Sequence, residues 1–291
     1  MKWLITGASG QLGLAIQEEL TKRSFEFVAA NSSDLDITKP LIVDRLVDFI
    51  NPNLIINAAA WTDVDGAEAN ESAAYSVNSL GPRNLAIAAS KVRARLVQIS
   101  TDYVFSGEAT APWNENAIHN PQSVYGLTKS EGEKFVLTNL PLNSYVVRTA
   151  WLYSPTGKNF AKTMVNLALN EEGEVRVVND QIGQPTVAGD LAKQIVELAL
   201  SEAPAGIYHG TNQGQATWFD FAQEIFSLAG ADVARVIPVS TSEFPRPAKR
   251  PTYSVLGHDA WVGTSVPAMR NWKIALEEAM PSVISAVKEE E

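Results

Sequence analysis

The chain contains no cysteine. Disulfides, thiolate nucleophiles and cysteine–zinc sites are excluded together, and the composition fits a reducing cytoplasm. Histidine is scarce as well. His119, His209 and His258 are scattered without metal-ligand spacing, so no metal site is expected. Positive charge is in deficit, 23 Lys and Arg against 33 Asp and Glu for a net charge of −10. That balance argues against nucleic acid and anionic membrane surfaces as partners, while leaving room for a local basic pocket. No apolar run approaches the roughly 20 residues that span a bilayer, and the N-terminus lacks a hydrophobic secretory region with a cleavage site. The expectation is a cytoplasmic protein with no membrane partner. Internal repeats and low-complexity tracts are also missing.

With 45% hydrophobic and 19% charged residues, the chain can bury a packed core. Its 291 residues exceed one mononucleotide-binding fold and suggest a dinucleotide-binding domain with a smaller lobe. Strand-like runs at Trp3–Thr6, Phe25–Ala30, Leu54–Asn57, Leu96–Ser100, Tyr145–Arg148 and Val175–Val178 alternate with helical patterns at Gln11–Thr21, Leu41–Ile50, Ala67–Val77, Pro82–Lys91 and Tyr125–Leu140. This alternation predicts an α/β, Rossmann-type doubly wound parallel sheet with ligands at the C-terminal strand ends. After Trp151 the pattern loosens and Pro and Gly become frequent. Residues 1–150 and 174–201 are therefore expected to form the dinucleotide-binding domain, and 151–173 and 202–291 a C-terminal substrate-binding lobe.

Three motifs fall at the expected strand ends. Lys2–Thr6 runs straight into Gly7-Ala8-Ser9-Gly10-Gln11-Leu12-Gly13. The glycines permit a tight turn and close backbone approach, which aims the start of the next helix at a pyrophosphate. Gly7, Ser9, Gly10, Gln11, Leu12 and Gly13 are thus candidate cofactor contacts. Ala58, Ala59 and Ala60 follow the third strand, and Thr101 ends the fourth. Tyr125 and Lys129 stand four residues apart, on one face of a helix, so a phenol and an ammonium reach one small site. Reducing a ketone requires a hydride on carbon and a proton on oxygen, which makes Tyr125 the candidate acid. An ammonium about 4 Å away at an effective dielectric near 20 favours the phenolate by about 4 kcal/mol, or at most about 3 pKa units. Lys129 is therefore expected to bring Tyr125 towards working pH, with Thr101 fixing the carbonyl oxygen against it.

Taken in order, these motifs with Ile56–Asp65, Ser100-Thr101-Asp102-Tyr103-Val104-Phe105, Arg148–Tyr153, Asp180-Gln181-Ile182-Gly183-Gln184-Pro185-Thr186 and Arg250–Leu256 resemble the dTDP-4-dehydrorhamnose reductase family of the extended short-chain dehydrogenase/reductases. The matches cover nearly the whole chain. The glycine loop, the Asn-Ala-Ala-Ala segment and the Tyr-x-x-x-Lys pair are shared with many nucleotide-sugar epimerases and dehydratases, whereas the Ser-Thr-Asp-Tyr-Val-Phe, Asp-Gln-x-Gly-x-Pro-Thr and Arg-Pro-x-x-Ser-x-Leu motifs narrow the match to this branch.

The resemblance implies NAD(P)H-dependent reduction of the 4-keto group of dTDP-4-dehydro-L-rhamnose, with Thr101, Tyr125 and Lys129 catalytic and Lys129 also donating to the ribose. It puts Asp36 and Ile37 at the adenine, or in a turn before the helix at Pro40. It puts Thr62, Asp63, Thr101, Asp102, Tyr103 and Trp151 on the substrate side, with Trp151 also readable as lobe packing. Asn159 and Arg250 fall where related enzymes hold the nucleotide diphosphate; Arg250 also reads as a surface residue in a proline-rich loop. Ala15 and Gly189 occupy stretches where some relatives carry carboxylates for a metal-bridged dimer, so a monomer or a homodimer is expected. A related epimerase or dehydratase, or a non-catalytic regulatory subunit like the methionine adenosyltransferase beta subunit, are the alternative activities. The end of the second strand reads Ala30-Asn31-Ser32-Ser33, with neither a carboxylate to repel a 2′-phosphate nor an arginine to bind one. Asn31 is taken as the cofactor-selecting position, and NADPH is expected, with NADH also accepted.

Overall fold

Six parallel strands form the spine of the molecule, seen in a computed structural model that describes residues 1–290. They are β1 (Lys2–Thr6), β2 (Glu26–Ala30), β3 (Leu54–Asn57), β4 (Arg95–Thr101), β5 (Ser144–Thr149) and, further along the chain, Gly206–His209. Across the sheet they stand with β2 at one edge, then β1, β3, β4, β5 and the 206–209 strand. The order reverses between β1 and β3, which opens a crevice at their carboxyl ends.

Alternate side chains divide the core between the two faces of the sheet. Trp3 and Ile5 pack with Leu12, Ile16 and Leu20 of α1 (Gln11–Lys22) and with Leu191 and Ile195 further along. Leu4 and Ile55 face the other way, against Val43 and Val47 of α2 (Pro40–Ile50), Leu85 of a helix at Gly81–Val92 and Val136 of a helix at Val124–Asn139. The helical pattern expected at 67–77 is broken into α3 (Val64–Ala69), α4 (Glu71–Tyr75) and a π-helical turn at Ser76–Leu80 that leads into α5 (Gly81–Val92); the helix after β4 is α6 (Val124–Asn139). The break falls at Asn70, whose backbone leaves the helical region at φ −132°.

The second lobe is threaded by repeated excursions. After β5, the chain forms β6 (Leu152–Tyr153), α7 (Phe160–Asn170), β7 (Val175–Val178), β8 (Ile182–Gly183) and β9 (Thr186–Val187). Helix α8 (Ala188–Leu200) and β10 (Gly206–His209) then return to the main sheet. The chain leaves again through β11 (Ala216–Thr217), α9 (Trp218–Leu228), β12 (Val236–Val239) and α10 (Trp272–Lys288). Met164, Phe221, Phe226, Trp272 and Leu276 are among the residues of this lobe's own core.

Two segments differ from the boundaries expected from sequence. Val175–Val178 pairs with β12 and buries Val177 in the second lobe, although 174–201 is expected in the dinucleotide-binding domain. Conversely, Gly206–His209 pairs with β5 in the main sheet, although it falls inside the 202–291 lobe segment. An apolar run announces a strand but not which sheet it joins, and Gly206–His209, with only Ile207 and Tyr208 apolar and a glycine at its start, presents no such run. Among the described residues no helix is long and apolar enough to cross a membrane.

Candidate active site

A cleft of about 860 Å³ lies along the carboxyl ends of β1, β3, β4 and β5 and runs into the second lobe. Its floor begins with the glycine loop. Gly7 has φ +69°, and a Cβ there would lie 2.5 Å from the Ala59 nitrogen; a Cβ on Gly13 would lie 2.3 Å from the Gly7 carbonyl oxygen. Only glycine permits both approaches. Gly10 caps α1 without a side-chain hydrogen bond, so the helix start presents uncapped N–H groups to the cleft. This cradle fits the pyrophosphate of a dinucleotide.

Of the site residues expected from sequence, all line this cleft except Asn31, Asp63 and Arg250. Each exception has a local partner. Asn31 Oδ1 accepts from Ser33 N at 2.8 Å and Ser33 Oγ at 2.6 Å, folding the side chain into its own turn, and Ser32 faces the cleft instead. Asp63 caps α3 by accepting from Gly66 N at 2.9 Å. Arg250 donates to Asp65 Oδ2 at 2.9 Å and to the Ala248 carbonyl at 3.2 Å, latching its loop to α3. Asp36 lines the cleft and also makes the expected turn. Its carboxylate accepts from Thr38 Oγ1 at 2.7 Å and Thr38 N at 2.9 Å, which holds it below the usual range.

Tyr125 and Lys129 project from the first turns of α6, which Ser123 caps through Gly126 N. The Tyr125 ring meets Tyr103 edge-on with centroids 5.5 Å apart. Thr101, at the end of β4, donates to Asp102 Oδ1 at 2.9 Å and accepts from Tyr103 N at 3.2 Å. Enclosure in the site pushes the Tyr125 phenol up to about 12; the Thr101 hydroxyl works against that shift and the Asp102 carboxylate adds to it. The expectation that Lys129 lowers this phenol is corrected here. Lys129 Nζ turns down to the sheet and donates to the Ile99 carbonyl at 2.5 Å, while burial brings its own pKa down to about 8 against the pull of Glu133. The phenol therefore stays protonated through the physiological range, the state required of a proton donor. Burial also raises Asp102, to about 6, against the Ser254 and Thr101 hydroxyls.

On the second-lobe side the wall is aromatic. Trp151 lies flat on Trp218, a residue that the sequence reading missed because it opens α9 far along the chain. Trp151 has φ +46°, a left-handed backbone unusual for a bulky residue. Gly183 explains its seat: a Cβ there would lie 2.4 Å from the Trp151 ring. Lys158 is a second missed residue, a cation at the cleft wall beside Asn159. Gln11 joins the two sides. Its Oε1 accepts from Ser154 Oγ and Asn159 Nδ2, each at 3.0 Å.

The family model described as RmlD substrate binding domain matches residues 1–284. The chain belongs to this family. A dTDP-4-dehydrorhamnose reductase of Streptomyces griseus is 45% identical over 286 residues, covering 97% of this chain and 94% of the relative. A dTDP-4-keto-6-deoxy-D-glucose reductase of Streptomyces niveus is 46% identical over 280 residues, covering 96% of each. Among solved structures, the dTDP-4-dehydrorhamnose reductase of Bacillus anthracis in complex with NADP is 41% identical with a TM-score of 0.91, covering 96% of this chain and 98% of that one. The matched residues span every motif singled out above.

Proposed function

We propose that this RmlD-family chain is an oxidoreductase that reduces the 4-keto group of dTDP-4-dehydro-L-rhamnose to give dTDP-L-rhamnose, with NADPH as donor and NADH also accepted. The observation that carries the reading is the meeting of Thr101, Tyr125 and Lys129 with the glycine loop in one cleft. A non-catalytic subunit has no need of that meeting. The relatives' names support a dTDP-linked 4-keto-6-deoxy sugar.

When bound, the nicotinamide supplies a hydride to C4 of the sugar. Tyr125 gives its phenolic proton to the C4 oxygen, and Thr101 hydrogen-bonds that oxygen to hold it against Tyr125. Lys129 holds the ribose, its ammonium donating to a ribose hydroxyl. The glycine loop and the α1 N-terminus take the cofactor pyrophosphate, with Asp36, Ile37 and Ala58–Ala60 along the dinucleotide. Thr62, Asp102, Tyr103 and Trp151 take the sugar, and Asp63, outside the cleft, holds α3 behind them. Asn159 and Arg250 take the nucleotide diphosphate, Arg250 by exchanging Asp65 for a phosphate oxygen. The reaction runs in the cytoplasm, in a monomer or homodimer.

The test follows nicotinamide absorbance with dTDP-4-dehydro-L-rhamnose and, separately, with its precursor dTDP-4-keto-6-deoxy-D-glucose, each with NADPH and with NADH. Faster oxidation with the first sugar and with NADPH is expected. Turnover of the precursor alone would move the substrate to the unepimerised sugar. No oxidation with either, in a protein that purifies with bound NAD, would favour an epimerase or dehydratase.

A further inference from the structure

Beneath the cleft floor lies a buried charged cluster to which the proposed chemistry assigns no role. Glu133 sits one helical turn beyond Lys129 on α6 and is 1% exposed. Arg148 of β5 is fully buried and donates to Glu133 through Nε at 3.0 Å and a terminal nitrogen at 2.7 Å. Ser100 of β4, next to Thr101, donates a short hydrogen bond to the same carboxylate. Arg148 also donates to the Glu115 carbonyl at 3.0 Å, and its guanidinium lies 4.9 Å over the Phe105 ring.

A buried ion pair is a poor way to stabilise a core, since desolvation offsets much of the attraction and apolar replacements are often as stable. This pair is better explained by what it joins. It ties the strand bearing Thr101 to the helix bearing Tyr125 and Lys129.

We propose that Glu133 is a positioning residue for the reaction: its carboxylate, fixed by Arg148 and Ser100 one helical turn from Lys129, is the buried counter-charge of the Lys129 ammonium, which is itself held on the Ile99 carbonyl next to Ser100. The inference rests on the reductase reading of the same site. Burial works to discharge Lys129, and Glu133 is the charge that opposes it. The other titratable groups around the cluster do not replace it. Arg148 is positive. His119, which contacts Ser130 and Arg148 from the loop before α6, is held towards its neutral form by burial, as is His209 on β10. Glu115 lies on the far side of Arg148, 4.0 Å from His209. Glu131 and Lys134 pair with each other at 2.7 Å on the outer surface of α6.

The test is NADPH affinity, measured by nucleotide fluorescence between about pH 6 and about pH 10, with melting temperature measured alongside. Wild type should lose affinity above about pH 8, as Lys129 discharges. Glu133→Gln, which keeps a hydrogen-bond acceptor but no charge, should bind within about twofold of wild type at pH 6. Its alkaline limb should fall about half a pH unit or more lower. Glu133→Asp should restore the limb. If an uncompensated Arg148 prevents Glu133→Gln from folding, the double variant Glu133→Gln/Arg148→Gln, which removes both charges of the pair, carries the test, with a displacement in the same direction. A limb that coincides with wild type, accompanied only by a lower melting temperature, would overturn the proposal and leave the cluster purely structural. Absence of NADPH binding by wild type at every pH would instead count against the reductase reading.

Discussion

Trp151 and Trp218 stack with ring centroids 3.6 Å apart and planes within 11° of parallel. The pair joins β6's approach to the start of α9 and forms the aromatic wall of the cleft. A stacked aromatic pair is worth about 0.5–1.5 kcal/mol beyond its buried area. The position depends on Gly183, where a Cβ would lie 2.4 Å from the Trp151 ring. Gly183→Ala should displace Trp151 and raise KM for the sugar nucleotide about tenfold, with NADPH affinity little changed. Steady-state kinetics and a cofactor titration make the comparison. Unchanged KM would show that Trp151 serves the lobe's packing alone.

Tyr125→Phe preserves the ring against Tyr103 and deletes only the hydroxyl. NADPH binding should persist, and kcat should fall by about 10² to 10⁴, the usual contribution of a positioned general acid. Near-normal turnover would remove Tyr125 from the mechanism.

Asp102 gives a stability prediction with a definite sign. Its pKa is raised from 3.8 to about 6, so the folded protein binds this proton more tightly than the unfolded chain. The group's favourable contribution is complete below about pH 4 and is lost as pH rises through about 6. At pH 7 the buried carboxylate costs up to about 3 kcal/mol relative to the neutral form. Asp102→Asn should therefore stabilise the protein at pH 7 and do little at pH 4, in urea unfolding at both values. Equal effects at the two pH values would mean that Asp102 is solvated. Turnover should fall, because the partner of the Thr101 hydroxyl changes.

Cofactor choice should respond at Ser32 more than at Asn31. Ser32 lines the cleft, whereas the Asn31 amide is spent on Ser33. Ser32→Asp should move selectivity from NADPH towards NADH by placing a carboxylate where a 2′-phosphate would sit. Asn31→Asp should do so more weakly. The ratio of kcat/KM for the two cofactors decides, and a larger shift at Asn31 would mean that its turn opens on binding.

What could be read from the sequence was local. The glycine loop, the four-residue spacing of Tyr125 and Lys129 and the five strands from β1 to β5 are each set by neighbours a few positions apart. They appear in the structure nearly where the pattern puts them. What could not be read depends on distant residues. Spacing on α6 shows that Lys129 shares a face with Tyr125, but not that the Ile99 carbonyl draws its Nζ downward. Nothing near Trp151 announces Trp218, and nothing in Arg250-Pro251 announces Asp65. Asn31 stays out of the cleft lining for a different reason. A polar residue at a strand end either faces the ligand or closes its own turn, and Asx-type capping won.

The route of the chain has a consequence for how sugar preference can change in this family. The backbone enters the second lobe after β5, returns through α8 and β10 to complete the main sheet, and leaves again for α9 and α10. No single cut separates the two lobes. A chimera that exchanged everything after Trp151 with a relative would also exchange the edge strand of the nucleotide-binding sheet and the helix packed on α1. Recombination at one crossover therefore carries foreign core contacts along with any new sugar pocket. Point substitution along the cleft wall leaves both cores intact, and is the route by which this architecture can diversify.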